Sequence, residues 1–80
     1  MNEEELKKQV SDLVVELINN QNSTFEVKKS GNWIHLSYLG RGSERINLWL
    51  EDMFHENYRK FYLNETIERL TKIKKDLLEG

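Results

Sequence analysis

Apolar side chains first recur at helical spacing. Leu6, Val10, Leu13, Val14, Leu17 and Ile18 share one stripe, which predicts an amphipathic helix over residues 3–19. Asn2 stands at its N-cap, and Glu3, Glu4 and Glu5 sit where the helix dipole favours anions. The run Asn19-Asn20-Gln21-Asn22 ends it, since Asn tolerates the left-handed backbone of a helix exit. The period then changes to two. Phe25 and Val27 alternate with Thr24, Glu26 and Lys28, and Ile34, Leu36 and Tyr38 alternate with Trp33, His35 and Ser37, which predicts strands over 24–29 and 32–39. A Ser30-Gly31 loop pairs Lys29 with Asn32, Val27 with Ile34 and Phe25 with Leu36.

Residues 44–50 fit two periods. Ile46, Leu48 and Leu50 alternate as in a strand, whereas Ile46, Trp49, Leu50, Met53, Phe54, Tyr58 and Phe61 form a helical stripe with Ser43 as N-cap. Register favours the strand. With Arg41-Gly42-Ser43 as the loop, Tyr38 meets Ile46, Leu36 meets Leu48 and Ile34 meets Leu50, so every apolar partner lands on one side. A short helix over 52–62 follows, with Met53, Phe54, Tyr58, Phe61 and Tyr62 as its apolar side. Asn64 caps a final helix over 65–79, whose stripe is Ile67, Leu70, Ile73, Leu77 and Leu78. The expectation is one α+β domain over 1–80 in αβββαα order, a three-stranded antiparallel meander packed against helices.

Composition narrows the setting. A chain of 80 residues buries only about 60% of its unfolded surface, so its core is thin. Without cysteine it has neither a disulfide framework nor a thiolate zinc site. The formal charge of −2 predicts no strong global attraction to nucleic acid or anionic membrane. The first residues are acidic where a secretory signal is basic, and no apolar run approaches the roughly 20 residues that span a bilayer. A cytoplasmic protein with no membrane partner is expected. Alanine and proline are also absent while Asn, Lys, Ile and Leu abound, which suits an AT-rich gene of the kind carried by low-GC bacteria and their phages.

The second face of the expected sheet holds the candidate site. It carries Thr24, Glu26, Lys28, Trp33, His35, Ser37, Arg45, Asn47 and Trp49, with Lys28 opposite Trp33 and His35 between Glu26 and Trp49. Tryptophan and arginine are the residue types enriched at energetic centres of interfaces. Trp33, His35, Arg45 and Trp49, with Lys28 and Arg41 at the rim, are the candidate partner-binding residues. The alternative is that a helix covers this face and makes both tryptophans core. The basic hairpin tips suit phosphate contacts, or serve as edge charges that deter sheet aggregation.

Catalytic constellations are missing from the sequence. There is no cysteine nucleophile, Gly-x-Ser-x-Gly elbow or His-Glu-x-x-His helix. His55 with Glu51 reads as a surface i,i+4 pair, and His35 with His55 falls short of the ligands a metal needs. No catalytic residue, metal or cofactor is expected. Gly40-Arg41-Gly42-Ser43 resembles the Gly-x-Gly-x-Ser stretch of double-stranded-RNA-binding domains. That family follows it with lysines, whereas Glu44-Arg45-Ile46 follows here, so the stretch is read as a hairpin turn. The αβββαα order is similar to that of a small phage-encoded anti-CRISPR family that occludes Cas9, whose strong acidity this chain does not share. The expectation is a non-enzymatic binding module, carried by a phage or mobile element, that binds and modulates or inhibits a host protein. The alternatives are nucleic-acid binding through the aromatic and basic sheet face, and a homodimeric structural or accessory protein.

Overall fold

A computed structural model describes residues 2–79. Helix α1 spans Glu3–Asn19, and strands β1 (Phe25–Ser30), β2 (Trp33–Tyr38) and β3 (Gly42–Asn47) follow, then helix α2 (Glu56–Glu79). The strands form an antiparallel meander in the order β1-β2-β3, which gives the expected α+β domain. The Asn2 side chain accepts from the Glu5 N–H at 2.9 Å and caps α1. The exit of α1 differs from expectation. Asn20 keeps a negative φ of −108° at the C-cap, where its backbone and side-chain N–H groups both donate to the Glu16 carbonyl.

Strand faces match the alternation, but strand registers do not. Val27 pairs with Leu36 and Phe25 with Tyr38, around a turn whose central residues are Gly31 and Asn32. Gly31 has φ +58° while Asn32 stays negative, which is the glycine-first pattern of a II′ hairpin turn. In the second hairpin Ile34 pairs with Ile46 and Leu36 with Glu44, so Leu39-Gly40-Arg41 is the loop. Gly40 and Gly42 supply the positive φ values there, +76° and +87°. Each slip is an even number of residues, so it leaves every side chain on its expected face.

Both helices pack on one side of the sheet. Leu6, Val10, Val14 and Leu17 of α1 meet Phe25, Val27, Ile34, Leu36, Ile46 and Leu48 of the sheet region and Leu63 and Leu70 of α2 in one core. The two C-terminal helical segments are a single helix. Asn64 does not cap; its side chain donates to the Lys60 carbonyl one turn back, within the helix. An Asn inside a helix costs well under about 1 kcal/mol, less than burying Leu63 on one side of it and Leu70 on the other returns.

Continuity also sets which face of α2 is buried. At about 100° per residue, Tyr58 and Phe61 fall roughly 140–160° from Leu63. The buried stripe therefore runs through Leu63, Thr66 and Leu70 and leaves Tyr58 and Phe61 exposed, while Met53 and Phe54 are exposed in the loop before α2. Buried Thr66 donates its hydroxyl to the Tyr62 carbonyl at 2.9 Å, so its polar atom is satisfied. Arg59 takes the position of an apolar residue near the stripe. Its guanidinium makes paired 2.8 Å hydrogen bonds to the Glu3 carboxylate and also donates to the carbonyls of Asp52 and Phe54. One side chain thereby ties the start of α1, the 48–55 loop and the first turns of α2. Glu44–Arg69 and Glu16–Lys74 ion pairs join α2 to β3 and to α1.

Candidate functional site

With both helices on the inner face, the outer face of the sheet is open among the described residues. Register arranges it in cross-strand rows. Ser30, Trp33 and Asn47 form the first, Lys28, His35 and Arg45 the second, and Glu26, Ser37 and Ser43 the third. Directly opposed side chains on one face stand about 4.5–5.5 Å apart at Cβ, so each row is a line of adjacent positions. His35 therefore lies between Lys28 and Arg45, not between Glu26 and Trp49, and Lys28 faces His35 and not Trp33.

Trp33 is 40% exposed at the centre of the first row. The Arg45 guanidinium, one row along and on the next strand, stands 5.0 Å from its ring centroid. That is cation–π distance, and it places a delocalised cation beside an apolar surface. Neither Lys28 nor Arg45 forms an ion pair among the described residues. The face thus carries two uncompensated cations, one imidazole and one large ring, against the single carboxylate of Glu26 at its far corner.

Two of the expected site residues are not part of this cluster. Trp49 leaves the sheet because β3 runs out of partner. Leu48 still donates to the Asn32 carbonyl at 2.6 Å, but the position opposite Trp49 is Gly31, which is already in the first turn. The Asn32 side chain then donates to both the Asn47 side chain and the Trp49 carbonyl, each at 2.9 Å, and turns the chain away. The Trp49 ring is half-buried against the core with the Lys7 ammonium 5.6 Å from its centroid. Arg41 is exposed in the second turn. It lies past Tyr38, at the opposite end of β2 from Trp33, some five residues or roughly 17 Å away.

Sequence reasoning missed a second exposed surface. Met53 and Phe54 in the loop before α2, and Tyr58 and Phe61 in its first turns, were expected on one apolar helix side and lie exposed; the Phe54 and Tyr58 rings stack with centroids 6.2 Å apart. Extending the Leu63–Leu70 stripe backwards through one unbroken helix would have exposed Tyr58 and Phe61. His55 does not pair with Glu51, which lies in the loop; its Nδ1 accepts from the Asn57 N–H and caps α2. Among the described residues no group of three or more His, Asp or Glu side chains converges on a metal position.

On the inner side of the sheet edge, Tyr38 donates to the Glu44 carboxylate at 3.0 Å, and Arg69 holds the other oxygen of Glu44. Burial and the hydrogen bond to Glu44 push the Tyr38 phenol up to about 12. The hydrogen bond from Arg59 holds the Glu3 carboxyl below the usual carboxylate range, against a smaller opposing effect of burial. No described helix is long and apolar enough to cross a membrane. Comparison of the chain with protein-family models, with curated proteins and with solved structures found no match.

Proposed function

We propose that this chain is a non-enzymatic binding module that docks the outer face of its sheet on a larger protein and modulates that protein by occupying it. The observation that carries this reading is the exposed Trp33–Arg45 pair, set in an uncompensated row with His35 and Lys28. A tryptophan with an arginine held beside it combines the two residue types that most often dominate binding energy. The unpaired cations around it call for a partner surface with carboxylates surrounding an apolar anchor site. Trp33, His35, Arg45 and Lys28 form this site, while Trp49 and Arg41 lie outside it.

Affinity capture from the native host with nuclease present tests the proposal. The wild-type chain should retain a protein that Trp33→Ala/Arg45→Glu loses, with unchanged far-ultraviolet circular dichroism. Equal retention by the double variant refutes the site. Nucleic-acid binding is the second reading, favoured by the Lys28–His35–Arg45 row as a track for phosphates. With Trp49 turned away, one ring remains where single strands are held by successive stacking platforms, so the protein reading is preferred. An affinity that falls steeply with salt and vanishes on nuclease treatment would reverse that preference.

A further inference from the structure

The two edges of the sheet are treated differently. In an antiparallel ladder, alternate residues of an edge strand point their N–H and C=O groups away from the partner strand. On β1 the outward residues are Phe25, Val27 and Lys29, and the loop before the strand takes the Val27 N–H and the Phe25 carbonyl. The Gln21 side chain accepts from the Val27 N–H at 3.2 Å, and the Asn22 N–H donates to the Phe25 carbonyl at 3.0 Å. These contacts cover the Phe25–Val27 part of that edge, much as native proteins protect such strands.

On β3 the ladder uses Gly42, Glu44 and Ile46, continued by the Leu48 N–H, so Ser43, Arg45 and Asn47 point outward. The Asn47 carbonyl accepts from the Tyr62 hydroxyl at 2.9 Å. The backbone N–H and C=O groups of Ser43 and Arg45 have no protein partner among the described residues, and both residues are exposed. The side chains bordering this open stretch are cationic on balance. Glu44 is answered by Arg69 at 2.9 Å, and neither Arg45 nor Arg41 in the adjoining turn has an ion-pair partner among the described residues.

Resting on the sheet-face reading above, we infer that the partner presents an extended acidic segment, which adds to β3 as a fourth strand. Two free N–H groups and two free C=O groups at alternate positions are what strand addition requires. Acidic side chains on the segment's outer face stand across from Arg45, where opposite charges stabilise a cross-strand pair. Apolar ones on its other face lie alongside Ile46. A second copy of this chain is a poorer occupant, because pairing β3 with β3 brings two cationic edges together.

The probe is a short capped peptide of alternating glutamate and valine, compared with the same peptide N-methylated at alternate residues. Amide hydrogen exchange of the full chain reads the outcome by NMR. The expected result is that the unmethylated peptide slows exchange at Ser43 and Arg45 by about tenfold or more, and that methylation abolishes this. Ser43→Pro removes one outward donor while sparing the ladder and should weaken binding about two- to tenfold. Should that variant not fold, the methylated peptide tests the same bond. Peptide-induced shifts at Trp33 and His35 without protection at Ser43 and Arg45 overturn strand addition but leave the face standing. No response at either place removes both. Protection that grows with protein concentration and needs no peptide overturns the proposal in favour of a second copy.

Discussion

Alanine at Leu63 and, separately, alanine at Phe61 distinguish the two sides of α2. Leu63 is fully buried, within the core formed by α1 and the sheet. Its truncation loses the transfer energy of the removed atoms and leaves a cavity, at a cost of about 2–5 kcal/mol. A domain of 80 residues has a total stability of about 4–12 kcal/mol, so Leu63→Ala removes a large share of it. Phe61 sits two residues away and is 60% exposed. Its truncation exposes little and gains roughly half a kcal/mol of helix propensity, which places Phe61→Ala within about 0.5 kcal/mol of wild type. The assay is urea unfolding followed by far-ultraviolet circular dichroism, with equal m-values confirming that the transition itself is unchanged. In thermal melts each kcal/mol should move Tm by about 4–8 °C. A cost above about 2 kcal/mol for Phe61→Ala would mean that α2 is rotated as the sequence stripe implied, or that another chain buries this cluster. A cost below about 1 kcal/mol for Leu63→Ala would refute the packing outright.

Three further outcomes follow from individual contacts. The Tyr38 phenol is raised from 10.0 to about 12, so its contribution is complete below pH 10 and is lost as pH rises through about 12. Wild type should therefore lose more stability than Tyr38→Phe across that window in urea titrations at fixed pH, and parallel curves would rule this out. Glu3 is lowered from 4.5, so its stabilising effect is complete above that value and disappears as pH falls through the lower folded value. Glu3→Gln should be less stable than wild type at neutral pH and should converge with it in acid; a constant gap would refute the Arg59 pairing as the cause. Asn32→Ala removes two hydrogen bonds that turn the chain at Trp49, at about 1–3 kcal/mol, and should shift tryptophan emission to the red. Unchanged emission would show that Trp49 is held by its ring contacts alone.

The sequence by itself determined α1 and the faces of the strands. Asn2 caps the helix that holds the three glutamates and the Leu6–Leu17 stripe, so local chemistry was sufficient there. Alternation placed Val27, Ile34, Leu36 and Ile46 inward and Trp33, His35 and Arg45 outward, and all remain so. Alternation has a period of two, however, and cannot distinguish registers that differ by an even number of residues. The turns made that choice, through the positive φ of Gly31, Gly40 and Gly42. A similar ambiguity affected α2. Local pattern offered an aromatic stripe over Met53–Tyr62 and a cap at Asn64, but a single unbroken helix can bury only one face, and Leu63 and Leu70 took it.

The two tryptophans show where local information ends. Their spacing put both on one strand face, and Trp33 is there, exposed beside Arg45. Trp49 is not, because its place depends on how many residues β2 can offer β3, which is set by a turn formed elsewhere in the chain. Side-chain direction follows from the residue and its neighbours in sequence. Whether a strand continues depends on a hydrogen-bonding partner in another strand, and that was decided only by the tertiary structure.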